Sequence, residues 1–257
     1  MIPKIIHLCW LSEDEYPPMI KECIDSWKRH LPDYEIRLWN TKQFDINSTI
    51  WTKQAFECKK YAFVADYIRL YALYNFGGIY LDSDILVYKS FNDLLDLPYF
   101  VGQEYSGSFE PAVIGAEKGL EWIKTILDYY SNKNFINIDG CLNITPLPHI
   151  FYKRLVGDYS FIQLKKKIEY IYDDKFIYVF DKTFFNSRDS VGIKRYPNSY
   201  CSHCYTASWK KLDSDYKSIL IKYVPNMFLR IYFFISHHTF RKHAVHSFEP
   251  DFLEVIK

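Results

Sequence analysis

Apolar residues fall into short runs with two different periods, and the period changes along the chain. Pro3 to Trp10 (PKIIHLCW) is a nearly continuous apolar stretch, which predicts a buried strand. Ile20, Cys23, Ile24 and Trp27 then recur at helical spacing behind Pro17-Pro18. Proline suits the first helical turn, so a helix is predicted from about Pro18 to His30. Pro32-Asp33 marks a turn, and Tyr34 to Trp39 alternates as a second strand. Strand, helix, strand predicts a parallel βαβ opening.

Residues from about Trp51 to Phe76 read as one or two helices, dense in apolar side chains from Ala62 to Tyr74. Gly77-Gly78 supplies a C-cap. Ile79 to Tyr88 (IYLDSDILVY) reads as one strand with two acids set inside it. Asn92 to Leu97 is a short helix or turn closed by Pro98. Tyr99 to Glu104 and Ala112 to Gly115 are further strands, and Gly119 to Tyr130 is an amphipathic helix. From residue 134 to 200 the signal weakens to a strand near Ile177–Phe180 and a basic helix near Tyr159–Ile171. No repeat, low-complexity tract or linker interrupts the chain. The expected class is α/β, with a mixed, mainly parallel sheet in one domain over residues 1–221. Residues 222–257 form an aromatic, basic C-terminal segment.

Composition adds little direction. The chain has 257 residues and a formal net charge of +1, which gives no bias toward nucleic acid. Its aromatic content is high, with 23 Tyr, 20 Phe and 6 Trp. Most of these rings belong to the core, but Tyr and Trp also suit sugar and base contacts. Met1 to His7 lacks a basic stretch followed by an apolar one, so no signal peptide is predicted. No apolar run is long enough to span a bilayer. Six Cys without framework spacing predict a reducing, cytoplasmic setting. The sequons at Asn47 and Asn143 carry no meaning there.

The chemistry concentrates at Asp82 and Asp84. On a strand, residues two apart share a face, so both carboxylates project together. Two unpaired carboxylates in an apolar strand are costly, and a divalent cation such as Mn²⁺ or Mg²⁺ removes that cost. Such a cation also holds phosphate oxygens and neutralises a diphosphate leaving group. An Asp-x-Asp by itself does not select a site, because the chain has a second one at Asp213-Ser214-Asp215. That one lies in a polar, lysine-flanked stretch and reads as solvated. Upstream, Asp66 and Arg69 share a helix face at i and i+3. They fit an ordinary helix ion pair. Among apolar neighbours they also fit a buried fork for phosphate or ribose oxygens.

The run Ala62-Phe63-Val64-Ala65-Asp66-Tyr67-Ile68-Arg69-Leu70-Tyr71-Ala72-Leu73-Tyr74-Asn75-Phe76-Gly77-Gly78-Ile79-Tyr80-Leu81-Asp82-Ser83-Asp84 resembles the signature of glycosyltransferase family 32. That family includes bacterial capsular polysaccharide and lipopolysaccharide sugar transferases and fungal mannosyltransferases, and it is related to the large clostridial glucosylating toxins. Pro3 to Trp10 matches its first strand, and the likeness is thin beyond residue 130. The resemblance implies a GT-A-like fold, a nucleotide-sugar donor and a retaining reaction. Carried over by position, Trp10 stacks on the donor base and Asp66 touches the donor sugar hydroxyls. Arg69 holds the sugar or phosphate side. Asp82 meets the ribose and the metal's water shell, and Asp84 binds the metal. Near the C-terminal end, His203-Cys-Tyr-Thr-Ala-Ser-Trp resembles the family's closing His and Ser-Trp pair. It implies His203 as a metal ligand, with Ser208 and Trp209 over the diphosphate. An indole N–H can donate to a phosphate oxygen.

Other readings compete. Cys201-Ser202-His203-Cys204 hints at zinc, but structural zinc takes four ligands and no second pair stands in register. A stray His on a surface turn is the plain reading of His203. The remaining histidines read as structural or exposed. The expected activity is transfer of a hexose or N-acetylhexosamine from a UDP- or GDP-sugar to a glycan or lipid-linked acceptor in surface polysaccharide synthesis. A metal-dependent nucleotidyltransferase and a non-catalytic glycan-binding protein are the alternatives. The segment from residue 222 either packs on the domain or lies on a membrane surface, because aromatics mixed with basic residues suit the interface and anionic lipid.

Overall fold

The computed structural model describes residues 1–104, 107–166, 173–186, 188–189, 192–193 and 195–205. The expected Ser208, Trp209, second Asp-Ser-Asp motif and segment 222–257 lie outside these residues.

The opening βαβ unit forms as its pattern predicts. Strand β1 (Ile5–Cys9), helix α1 (Pro18–His30) and strand β2 (Glu35–Trp39) are followed by α2 (Ile50–Glu57) and α3 (Tyr61–Phe76), so Trp51 to Phe76 is two helices. Gly77 caps α3 at φ 65°, a conformation that costs an L side chain. Next come β3 (Gly78–Leu81), β4 (Ile85–Val87), β5 (Tyr99–Gln103) and β6 (Phe109–Ala116). Helices α4 (Glu121–Leu127) and α5 (Leu147–Leu155) precede β7 (Ser160–Leu164) and β8 (Phe176–Phe180). The short α6 (Lys182–Phe185), the strand pair β9 (Arg188–Asp189) and β10 (Gly192–Ile193), and β11 (Cys201–His203) complete the described chain.

Seven strands form one sheet in the order β2-β1-β3-β6-β5-β8-β7. β6 alone runs against its neighbours, β3 and β5, and the other pairings are parallel. This is the mixed, mainly parallel sheet expected of a GT-A-like α/β fold. One apolar core gathers α2 to α5 around Trp51, Tyr80 and Trp122, and a second gathers α1 and α6 around Trp27, Phe100 and Phe185. Helices therefore cover both faces. The chain leaves β1 for β2 on one side and returns to β3 on the other, so the crossover reverses at β1. In open α/β sheets ligands bind beyond the carboxyl ends of strands at such a reversal. No helix of the described residues is long and apolar enough to cross a membrane.

Two expectations need correction. Ile79 to Tyr88 is not one strand. Asp82 N–H donates to Ala112 O, then Ile85 N–H turns back to Asp82 O, and β4 leaves the large sheet to pair with β11. Asp82 and Asp84 are brought together by a turn rather than by the pleat. The helix expected at Tyr159–Ile171 is, over its described part, the strand β7, which pairs along its whole length with β8. Tertiary pairing overrides the local propensity of this basic stretch.

The Gly77-Gly78 step also brings α3 close to β1. A Cβ on Gly78, whose φ is 103°, would lie 2.6 Å from Ile5 O and 3.1 Å from His7 Nε2. His7 is fully buried. Its Nδ1 accepts from Trp39 Nε1 at 3.1 Å, which leaves Nε2–H to donate to Gly77 O at 2.7 Å. Burial lowers its pKa to about 4, so it is a neutral structural residue. Gly78→Ala should therefore cost both the left-handed conformation, about 1–2 kcal/mol, and an overlap of about 1–3 kcal/mol. Gly119→Ala, at φ 83° with open space around it, should cost the first part alone. Urea unfolding of both variants checks the difference, and equal losses would contradict it.

Candidate functional site

The site lies beyond the carboxyl end of β3, beside that of β1. β6 carries a bulge there. Val101 pairs with Ile114 but Gly102 pairs with Glu110, so residues 111–113 have no partner on β5, while Val113 stays paired with Leu81 of β3. Proline has no N–H to give to a ladder, and Pro111 occupies this bulge without loss. The bulge turns the carbonyls of Pro111 and Ala112 toward the site.

Arg69, 4% exposed on α3, fills the centre. Its Nη1 donates to Pro111 O at 2.5 Å, and its Nη2 lies 3.0 Å from Asp82 Oδ1 and 3.3 Å from Asp66 Oδ1. The guanidinium sits 4.5 Å over the Tyr80 ring, while the Tyr80 hydroxyl donates to the same Asp82 oxygen at 3.0 Å. Burial raises the pKa of both acids, and Arg69 offsets part of that rise; Asp66 is pushed up to about 7. Arg69 itself is held firmly charged: burial disfavours its charge, but Asp82 and Asp66 more than compensate. The i, i+3 pair seen in the sequence thus joins a buried Arg69 to a part-buried Asp66, and it extends to Asp82.

On the other side stands His203. β11 pairs antiparallel with β4, placing His203 opposite Ile85, and Cys204 N–H donates to Asp84 O at 2.9 Å. β4 is in turn fixed by α1. Trp27 Nε1 donates to Ile85 O at 2.7 Å, and Val87 N–H donates to Ser26 Oγ at 2.9 Å. His203 Nε2 reaches Asp84 Oδ1 at 3.2 Å. One ligand atom each from Asp82, Asp84 and His203 lies within 4.8 Å of the other two. Burial disfavours the charged imidazole, yet Glu110 and Asp84 raise its pKa well above the ordinary value.

The donor set fits a divalent cation: two carboxylate oxygens and one imidazole nitrogen at one point. The Cys-x-x-Cys around His203 does not converge. Cys201 Sγ donates to Phe185 O, while Cys204 Sγ lies 3.9 Å from Cys23 Sγ on α1. That geometry removes the zinc reading.

Trp10 does not touch this cluster. It lies just past β1, half-buried, with its ring edge-on to Tyr16 at 4.9 Å and its indole N–H on Asp14 O at 3.1 Å. It shares the carboxyl edge of the sheet with Asp82. Sequence reasoning missed Glu110, Asn186 and Tyr205, which surround His203. A lone acid inside the apolar run Phe109 to Ile114 was the one available signal.

Removing the guanidinium would leave two part-buried acids, 15% and 27% exposed, without their counter-charge. Arg69→Ala should destabilise the protein by about 3–5 kcal/mol at pH 8. Without Arg69, both carboxyl pKa values rise further, so protonation at pH 5 relieves the uncompensated charge and shrinks the loss. Chemical unfolding at the two pH values measures this. A loss that is equal at both, or larger at pH 5, contradicts the hub.

Comparison with a known family covers the part of the chain that holds Asp66, Arg69, Asp82 and Asp84, but not His203. Residues 17–101 match the family model described as glycosyltransferase sugar-binding region containing DXD motif. Inositol phosphoceramide mannosyltransferase 3 of Schizosaccharomyces pombe is 32% identical over 157 residues, covering 57% of this chain and 43% of that protein. Mannosyl phosphorylinositol ceramide synthase SUR1 of Saccharomyces cerevisiae is 35% identical over 109 residues, 39% of this chain and 27% of that protein. The chain thus spans less than half the length of these relatives. Among solved structures, PaToxG glycosyltransferase aligns at a TM-score of 0.43 and 21% identity, over 60% of this chain and 69% of that one. In keeping with the family 32 resemblance of its sequence, the chain carries the DXD-containing sugar-binding region of the glycosyltransferases.

Proposed function

We propose that this chain is a metal-dependent, retaining glycosyltransferase that moves a hexose from a nucleotide-sugar to a lipid-linked acceptor. The observation that carries the reading is the convergence of Asp82, Asp84 and His203 beside the buried Arg69, at the carboxyl edge of the sheet. The relatives' names specify mannosyl transfer and ceramide lipids, which puts a lipid acceptor ahead of a surface polysaccharide and a hexose ahead of an N-acetylhexosamine. The scattered cysteines favour the cytoplasmic side of a membrane, and the segment from residue 222 is proposed as its peripheral contact.

Each side chain then has a task. Asp84 and His203, with Asp82 beside them, would hold the cation, Mn²⁺ in preference to Mg²⁺ because one ligand is nitrogen. A cation held there would supply neutralisation of the charge that develops on the departing nucleoside diphosphate. Arg69 fixes Asp82 and adds positive potential on the diphosphate side, where preorganised charge is worth most. Asp66 accepts hydrogen bonds from the donor sugar, and Trp10 stacks on the base. Ser208 and Trp209 cover the diphosphate. No protein nucleophile is assigned.

The experiment is a panel of UDP- and GDP-sugars with Mn²⁺ or Mg²⁺, scored for release of nucleoside diphosphate. Metal-dependent hydrolysis of one donor is expected. Consumption of nucleoside triphosphate with no sugar moved would support a nucleotidyltransferase, and binding of glycan without turnover would support a lectin-like role.

Asp84→Ala should lower turnover by about 100-fold or more while remaining folded. Asp82→Asn should weaken turnover strongly, whereas Asp213→Ala should stay near wild type. Activity of Asp84→Ala close to wild type with Mn²⁺ would sink the reading. Trp10→Ala should raise KM for the donor about tenfold and change kcat less, since stacking is alike in ground and transition states. A drop in melting temperature with unchanged KM would instead make Trp10 a packing residue.

A further inference from the structure

Glu110 is 3% exposed in the interior of the protein, and its side-chain partners gather around His203 apart from Ala112 in its own bulge. Its Oε1 accepts from Ala112 N–H at 3.2 Å, within the β6 bulge. Its Oε2 accepts from Asn186 Nδ2 at 2.6 Å and from the Tyr205 hydroxyl at 3.0 Å. Both oxygens lie 3.4 Å from His203 Nδ1. The Tyr205 ring stacks on the His203 ring at 3.9 Å. Asn186 Nδ2 also donates to the Tyr205 hydroxyl, which closes the network. The imidazole is therefore held by one carboxylate at Nδ1 and by a ring on its face, while Nε2 points at Asp84.

A histidine ligand presents one nitrogen to its metal, and a carboxylate on the other nitrogen fixes tautomer and ring orientation. Three consecutive β6 residues divide the site between them. Glu110 meets His203, Pro111 O meets Arg69 and Ala112 O meets Asp82 N–H. One bulge thus sets the spacing between the two halves of the cluster. Burying a carboxylate here for fold stability alone has no evident advantage, since apolar residues of similar volume stabilise a core as well or better.

We infer that Glu110 is a positioning residue. It orients His203 through Nδ1–H so that Nε2 completes a divalent-cation site with Asp82 and Asp84. The inference rests on the metal-site reading of those three residues. Asn186 and Tyr205 support it by holding Glu110 in place.

The test is Mn²⁺ affinity of the full chain, measured by the loss of free-ion signal in electron paramagnetic resonance, in a double-mutant cycle. Glu110→Ala should weaken Mn²⁺ binding about 10–100-fold, and Glu110→Gln, which keeps size and an acceptor oxygen, should weaken it less. In a His203→Gln background neither change should weaken Mn²⁺ further, because Glu110 acts through the ring. Should Glu110→Ala fail to fold, Glu110→Gln carries the cycle alone. Equal losses in both backgrounds overturn the positioning role, and so does unchanged affinity in Glu110→Ala. Asp84→Ala separates the two claims. If it abolishes Mn²⁺ binding while Glu110→Ala does not weaken it, only this inference falls. If Asp84→Ala leaves affinity unchanged, the metal-site reading falls and this inference with it.

Discussion

The buried guanidinium of Arg69 is the constraint on which the site depends. It links α3, the turn after β3 and the bulge in β6 through Asp66, Asp82 and Pro111 O. Asp66 and Asp82 are only partly exposed, and the guanidinium between them offsets the repulsion and desolvation that two neighbouring carboxylates would otherwise carry. On the other side the His203 ring stands between Asp84 and Glu110. The groups therefore stand in a row, Asp66, Arg69, Asp82, then Asp84, His203, Glu110. Asp82 and Asp84 meet in the middle with negative charge in excess. Such a point suits a divalent cation.

The backbone explains why this row stands where it does. The sheet reverses direction at β1, and the carboxyl ends of β1 and β3 open side by side. α3 enters from one face with Arg69, and β4 with its partner β11 approaches from the other, fixed to α1 by Trp27 and Ser26. Gly77 and Gly78 end α3 abruptly enough for β3 to start directly beneath it. The site is thus assembled from rigid elements of both layers.

Much of this was legible in the sequence, for physical reasons. β1, α1, β2 and the Gly77 cap follow local periods and cap chemistry that need no distant partner. The Asp66–Arg69 pair and the Asp-Ser-Asp motif were visible because their members lie close in the chain. What failed was non-local. Residues 79–88 carry an unbroken strand-like pattern, and the break at Asp82–Asp84 comes from a turn and from pairing with β11, more than a hundred residues later. The stretch that forms β7 reads locally as a basic helix because its pairing with β8 lies outside any local window. Glu110 carries no motif, and His203, Asn186 and Tyr205 are 76 to 95 residues away. Its function appears only when the strands are in register.

The central claim is that Asp84 and His203 together hold a divalent cation against a nucleoside diphosphate. Pulsed electron paramagnetic resonance of Mn²⁺ bound to the full chain with a nucleoside diphosphate tests it most directly. The account predicts a phosphorus hyperfine coupling together with nitrogen modulation from one imidazole, the nitrogen signal disappearing in His203→Gln. Phosphorus coupling with no imidazole nitrogen, or nitrogen modulation that survives His203→Gln, would contradict it.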